Sequence, residues 1–153
     1  EDSGEGPGAG GEEIEYFGRG GMENYNDFNA HAPIGLYKSF VEDEHEAYIR
    51  PQDNSNHSDV SFLILKNGKG EEIQIYSDKK FNFNVHNYTQ DLLVKADHRE
   101  DVYDQGTTFV TIDGHSRGTG TGSCGPATLP EYCIDASKEL TFNFIIAPKK
   151  AED

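Results

Sequence analysis

Apolar side chains along this chain recur mostly in short runs of period two, the spacing of strands, and rarely at helical spacing. Ile14-Glu15-Tyr16-Phe17 alternates and ends at Gly18, which predicts a strand entering a tight turn. Residues 20–33 have no period and carry Glu23, Asn24, Tyr25 and Asp27, a long loop of the kind that forms functional surfaces or interfaces. Residues 36–41 read as a short strand, and the acidic residues 42–46 as a solvated turn. Tyr48-Ile49-Arg50 runs extended into Pro51, which disfavours helix before it. Residues 60–65 and 72–76 are strand-like and joined through Asn67-Gly68-Lys69-Gly70, a strong hairpin signal. Phe81-Asn82-Phe83-Asn84-Val85 alternates strictly, predicting one buried face and one wet face. Thr89 can cap one short helix over residues 90–96, with Asp91 in its first turn. Residues 108–112 predict a strand, a glycine loop follows over 114–125, and 132–134 predicts another strand. A last strand over 140–146 places Leu140, Phe142, Phe144 and Ile146 on one face. No repeat of fixed period is present.

The expected fold is all-β: an antiparallel β-sandwich with one short helix and long loops. Composition agrees, with nine Phe, eight Tyr, 17 Gly and no Trp. The 153 residues suit one domain. Residues 1–13, acidic and Gly-rich, read as a flexible tail or linker, 14–149 as the domain and 150–153 as a tail. A net charge of −15 argues against nucleic acid and against an anionic membrane surface as partners. It reads as a solubility charge on a cytoplasmic protein. No apolar run reaches the length of a membrane span, and the acidic start lacks the features of a secretory leader. Cys124 and Cys133 are too few for a disulfide scaffold and read as free thiols, with a bridge between them left open.

Several short patterns suggest chemistry that their surroundings do not support. Gly114-His115-Ser116-Arg117-Gly118 matches a nucleophile elbow, but that turn must lead directly into a helix, and a Gly-rich stretch closed by Pro126 follows instead. The triad would also need a later His, and His115 is the last. Gly120-Thr121-Gly122-Ser123-Cys124-Gly125 matches a dinucleotide-binding pattern, but Pro126 and Pro130 stand where its helix should run. Asp53, Ser55, His57 and Asp59 alternate like the start of a calcium loop, yet Ser58 and Ile64 occupy the positions that need Gly and Glu. The six His show no zinc-ligand spacing. Asn56-His57-Ser58 and Asn87-Tyr88-Thr89 fit the glycosylation pattern, which matters only in a secreted protein. Many acids are present, but none stands out as the carboxyl pair of a glycosidase.

Four ordered motifs do resemble one family. Ile14-Glu15-Tyr16-Phe17-Gly18-Arg19-Gly20-Gly21-Met22-Glu23-Asn24-Tyr25 is similar to a segment in the last domain of β-galactosidases of glycoside hydrolase family 2. The stretches 48–56 and 81–91, with His98 after the predicted helix, resemble later segments of that domain. Residues 109–126 resemble its ending, an Asp after a strand and then Gly-x-Gly-x-x-Ser-Cys-Gly-Pro. The resemblance covers residues 13–148, about the second half of the family's last domain.

It implies a sandwich that packs against a catalytic barrel and supplies one wall of a galactoside site. The implied wall is the loop of residues 118–126, with Gly120, Gly122, Ser123, Cys124 and Gly125 as substrate-binding residues and Cys124 at the mouth of the galactose pocket. Glycines let backbone approach a ligand, and Cys offers a small soft contact. The family's catalytic Glu pair lies upstream, so no catalytic residue and no metal ligand is assigned here. The Mg and Na that the family often uses belong to its other domains. The expected partners are therefore a galactoside and the parent's barrel, and an oligomeric parent stays open. Gly21 stands where the family usually has Pro, Ser55 where it has Gly, and Phe28, His57 and Ser61 where it often has Arg. Two other readings remain: a stand-alone carbohydrate-binding module with an aromatic platform among Tyr16, Phe17 and Tyr25, and a structural interface domain that touches no sugar.

Overall fold

The computed structural model describes residues 12–120, 122 and 124–150. Six antiparallel strands form one sheet in the order β2-β1-β3-β4-β5, with β6 also on β4. They are β1 (Glu13–Arg19), β2 (Ile34–Phe40), β3 (His57–Lys66), β4 (Glu72–His86), β5 (Phe109–Asp113) and β6 (Ile145–Lys149). Among the described residues one α-helix, α1 (Gln90–Lys95), interrupts them. The architecture is the all-β, sandwich-like one with long loops. Glu13 already pairs with Phe40 and Lys66, so the first strand starts one residue inside the stretch read as tail. It also runs on through Gly18 to Arg19 rather than turning there.

β4 organises the fold. Its first half pairs with β3 and β6, and its second half with β3 and β5. The predicted hairpin joins β3 to β4, and Gly70 takes φ 79° in its turn. Thr89 caps α1 by accepting from the Leu92 amide. The inner sheet face carries Ile14, Tyr16, Leu63, Ile75, Phe81 and Phe83, all in one buried cluster. Burying each such Phe contributes roughly 2–3 kcal/mol. Val41 and Phe142 close over this cluster from segments outside the sheet, so irregular chain forms much of the opposing layer.

Four local expectations change. Phe81 to His86 is buried on both faces, because Asn82, Asn84 and His86 find polar partners beneath the loops. The acidic turn is not wholly solvated, since Glu44 is buried against His57. Residues 132–134 form no strand; Pro130–Tyr132 is a single 3-10 turn, which Pro at its start favours. The closing strand begins at Ile145, not at 140, because only Ile145–Lys149 meets β4.

Ser55 adopts φ 53°, a left-handed conformation suited to the Gly that the family resemblance places there. Ser55→Gly is expected to raise stability by up to about 1 kcal/mol in urea denaturation, the relieved strain exceeding the lost bond from its hydroxyl to Asn54. Asp59, at φ 55°, is the contrast: its carboxylate holds Arg19 at 2.6 Å, so Asp59→Gly should give no gain. Equal gains at both positions would show that backbone strain alone does not set the outcome.

Candidate functional site

The glycine loop leaves β5 at Gly114, where a Cβ would lie 2.0 Å from Phe142. At Gly118 a Cβ would meet Asp27 at 2.7 Å and Tyr132 at 2.8 Å. Gly120 has φ 64° and backs onto the Thr128 amide. The loop is pinned by the Gly118 amide donating to the Tyr132 carbonyl (2.8 Å) and the Thr128 hydroxyl donating to the Gly118 carbonyl (3.0 Å).

Its main fastening comes from the other long loop. The Asp27 carboxylate accepts from the Thr119 amide (2.9 Å), the Thr119 hydroxyl (3.1 Å) and the Gly120 amide (2.7 Å). Burial pushes the Asp27 carboxyl up, but the Gly120 and Thr119 donors outweigh that and hold it below the usual carboxylate range. A carboxyl lowered on folding adds stability above its ordinary value of 3.8 and loses it as pH falls through the lowered one. The clasp is therefore closed at neutral pH and opens in acid.

Asn24 fixes the long loop in turn. Its side-chain oxygen accepts from the Ser58 amide (3.0 Å) and hydroxyl (2.5 Å), and its backbone N–H donates to the Asn56 carbonyl (2.7 Å). Glu23 accepts from the Ser55 amide (2.9 Å), from Tyr25 (3.2 Å) and from the Tyr48 hydroxyl. The bond to Glu23, with burial and the charge of Glu23, pushes the Tyr48 hydroxyl up to about 12. Burial, then the charges of Glu23 and Asp53, raises Tyr25 as well, so both phenols stay protonated donors.

Between these loops opens a cavity of about 600 Å³ lined by Glu23, Tyr25, Phe28, Tyr48, Gln52, Asp53, Thr119, Gly120 and Gly122. It joins aromatic faces to polar acceptors. Gly120 and Gly122 thus lie on its wall, while Cys124 and Gly125 are exposed and do not line it. Ser123 lies outside the described residues. Both cysteines are unpaired and exposed. Glu23 is already engaged by three donors, leaving it little freedom as an acid or base. Asp113 lines a separate cavity of about 380 Å³ beside Asn82 and His115, and burial followed by the Asp53 charge raises its carboxyl.

The rejected motifs stay rejected in three dimensions. No helix follows Gly118 among the described residues before the short turn at Pro130–Tyr132. In the alternating polar run, Ser55 and His57 are buried and Asp59 is bound to Arg19. Tyr16 is 2% exposed and cannot be an aromatic platform, whereas Phe28 and Tyr48, absent from the predicted set, flank the cavity. The period-free loop carrying Asp27 was the signal for that second wall, but its pairing with Thr119 bridges 92 positions and leaves no local pattern.

The arrangement is that of a β-rich unit with two braced loops at one cavity. Residues 9–146 match the family described as Beta galactosidase small chain. The β-galactosidase of Kluyveromyces lactis is 36% identical over 138 residues, spanning 89% of this chain and 13% of that protein. The β-galactosidase of Actinobacillus pleuropneumoniae is 30% identical over 133 residues, spanning 86% of this chain and 13% of the relative. The chain belongs to the β-galactosidase small-chain family. It spans about an eighth of the length of the curated relatives it matches.

Proposed function

We propose that this chain is the accessory C-terminal portion of a β-galactosidase, supplying a wall of the galactoside site but not its catalytic residues. The Asp27 clasp carries the reading: two backbone amides and one hydroxyl bonded to its carboxylate hold Thr119 and Gly120 at the rim of the cavity of about 600 Å³. A loop fixed this way presents Gly120 and Gly122 in a repeatable place to a substrate held by the parent's barrel, and the substrate-binding role expected of Cys124, Gly125 and Ser123 is tested through Cys124. The bond-making carboxyls and any metal ion belong to the rest of the enzyme, and no cofactor is assigned to this chain. Two exposed free thiols suit a reducing, cytoplasmic setting. Among the described residues no helix is long and apolar enough to cross a membrane.

The test is steady-state kinetics on the assembled enzyme that contains this chain. Asp27→Ala should raise KM for an aryl β-galactoside about tenfold with little change in kcat, the scale of one lost charge-assisted bond. Cys124→Trp should lower KM by giving the leaving group a flat face. If KM is unmoved in both variants, the loop is not a wall of the site.

One observation favours a second reading, a carbohydrate-binding module: Tyr25, Phe28 and Tyr48 surround the cavity together with Gln52 and Asp53. Titrating the chain alone with lactose separates the two. Saturable binding that is lost in Tyr48→Ala favours the module, and no heat favours the wall.

A further inference from the structure

The segment of residues 45–53, between β2 and β3, has no hydrophobic anchor. It forms no strand or helix, and each of its residues is exposed except Pro51, which is half-buried. Even Ile49 is 91% exposed. Yet this segment carries Tyr48, Gln52 and Asp53 to the cavity that Gly120 and Gly122 also line. With so little apolar burial, its place depends on directed bonds. Those bonds converge on one buried side chain, that of Asn54, which is 1% exposed. The Asn54 oxygen accepts from the Glu46 amide (3.0 Å), and the Asn54 nitrogen donates to the Gln52 carbonyl (3.0 Å). One backbone partner can only donate and the other can only accept, so they fix which way round the side-chain amide sits. They also draw positions 46 and 52 to one point and close the chain between them into a loop. The same amide is tied to the end of β4. Its oxygen faces His86 Nε2 at 3.2 Å, and its nitrogen lies 3.2 Å from the Tyr88 hydroxyl, whose own proton is then free for His45 Nδ1 at 2.7 Å. Glu23 adds a second tie, through the Tyr48 hydroxyl and the Ser55 amide.

We propose that Asn54 is the positioning residue of the cavity's second wall: its amide closes residues 46–52 into a loop, fastens that loop to the end of β4, and so sets Tyr48, Gln52 and Asp53 in place. Asn54 acts from behind and does not itself line the cavity. Asp27 fastens the glycine loop from one side, and Asn54 fastens the facing segment from the other. The role needs an amide of this length. Asp is the same size and keeps the acceptor for Glu46, but it has no donor for the Gln52 carbonyl and sets an oxygen against it. Ala removes both closing bonds. In either variant Glu23 still holds Tyr48 and Ser55, so the segment loosens without leaving the fold. The consequence for substrate rests on the wall reading given above; the fastening itself does not.

The test is amide hydrogen exchange, read by NMR on the whole 153-residue chain, with kinetics on the assembled enzyme beside it. The reporter is the Tyr48 amide, which donates to the Glu46 carbonyl at 2.8 Å and is not bonded to Asn54. The amides of β3, paired on both sides, report the core. In Asn54→Ala and Asn54→Asp the Tyr48 amide should speed up about fivefold more than the β3 amides do, the scale of one lost neutral hydrogen bond. Ser55→Ala removes one donor to the Asn54 oxygen but leaves both closing bonds, so its Tyr48 amide should exchange as in wild type. A Tyr48 amide unchanged in both Asn54 variants, or one that speeds up only in step with β3, would overturn the proposal; the second result would make Asn54 an ordinary core residue. A Ser55→Ala chain that frees Tyr48 as much as Asn54→Ala would overturn it too. In the assembled enzyme Asn54→Asp should raise KM for an aryl β-galactoside about fivefold with little change in kcat. A freed Tyr48 amide with an unmoved KM keeps the role of Asn54 and removes that of the wall. A Tyr48 amide that stays protected removes the role of Asn54 whatever KM does.

Discussion

Glu44→Ala is expected to lower the unfolding free energy by about 3 kcal/mol, the range found when one partner of a buried polar pair is removed. The Glu44 and His57 side chains are only 9% and 4% exposed and meet at 2.8 Å. The other His57 nitrogen lies 3.0 Å from the Tyr16 hydroxyl. The Glu44 carboxylate can only accept, so in a neutral ring Nε2 carries the proton and Nδ1 is left to accept from the Tyr16 hydroxyl. The partners therefore assign the tautomer: Nδ1 accepts from Tyr16, and Nε2–H donates to the Glu44 carboxylate. Alanine at 44 would strand that N–H on a ring that packs at a tilt against both Tyr16 and Phe83. Glu44→Gln keeps an acceptor and should cost less than half as much. Replacing both partners with apolar residues, Glu44→Leu with His57→Phe, should recover much of the loss, because no buried polar atom is then orphaned. Urea denaturation of the four proteins decides it. A Glu44→Ala chain within 0.5 kcal/mol of wild type, about the scatter of surface substitutions, would show that the pair contributes nothing.

That pair also marks where the sequence could be read and where it could not. Period-two runs located five of the six strands closely, because alternation is set by one buried face and is local. It failed where burial was two-sided. Asn82 and Asn84 looked solvent-facing from their alternation with Phe81, Phe83 and Val85, yet Asn26 and Asp53 reach them from loops and satisfy their bonds. Glu44 looked like one acid among several and is buried only because His57 meets it from a segment 13 positions away. The same holds for the family's arginine positions. His57 exchanges an arginine's bonds for the chain from Tyr16 to Glu44, and Ser61 takes a cation through space from Lys80. Gly21, at φ 85°, takes a conformation that the family's Pro cannot adopt. In the candidate site the glycine loop was legible, since a Gly-rich turn closed by Pro is a local signal. Its fastening was not, since Asp27 reaches it across the fold.

Acid is expected to weaken the fold through His86 before it opens the Asp27 clasp. His86 ends β4, 4% exposed, and its ring stacks on Tyr88 with centroids 4.6 Å apart. Its Nε2 faces the Asn54 side-chain oxygen at 3.2 Å, an acceptor only, so it carries the proton of a neutral ring. Burial strips water from the charged form and His45 repels it, with Glu44 opposing in part, so the ring falls from 6.5 to about 4. Between those values the unfolded chain binds a proton that the folded chain does not, so stability rises with pH there. The contribution is complete above pH 6.5 and declines as the pH falls towards about 4. The full decline is about 3 kcal/mol. Urea midpoints taken every half pH unit from 7 to 4 should therefore drift downward in wild type. His86→Gln can keep a donor towards Asn54 without a titrating ring, and its profile should be flatter by roughly that amount over the same range. Asp27 titrates lower, so its clasp contributes a separate loss below the ordinary carboxylate range, and Asp27→Asn removes that segment alone. Parallel slopes in wild type and His86→Gln between pH 6.5 and 4 would mean that the ring is charged in the fold. The packing of Asn54, Tyr88 and His45 around it would then have to admit water.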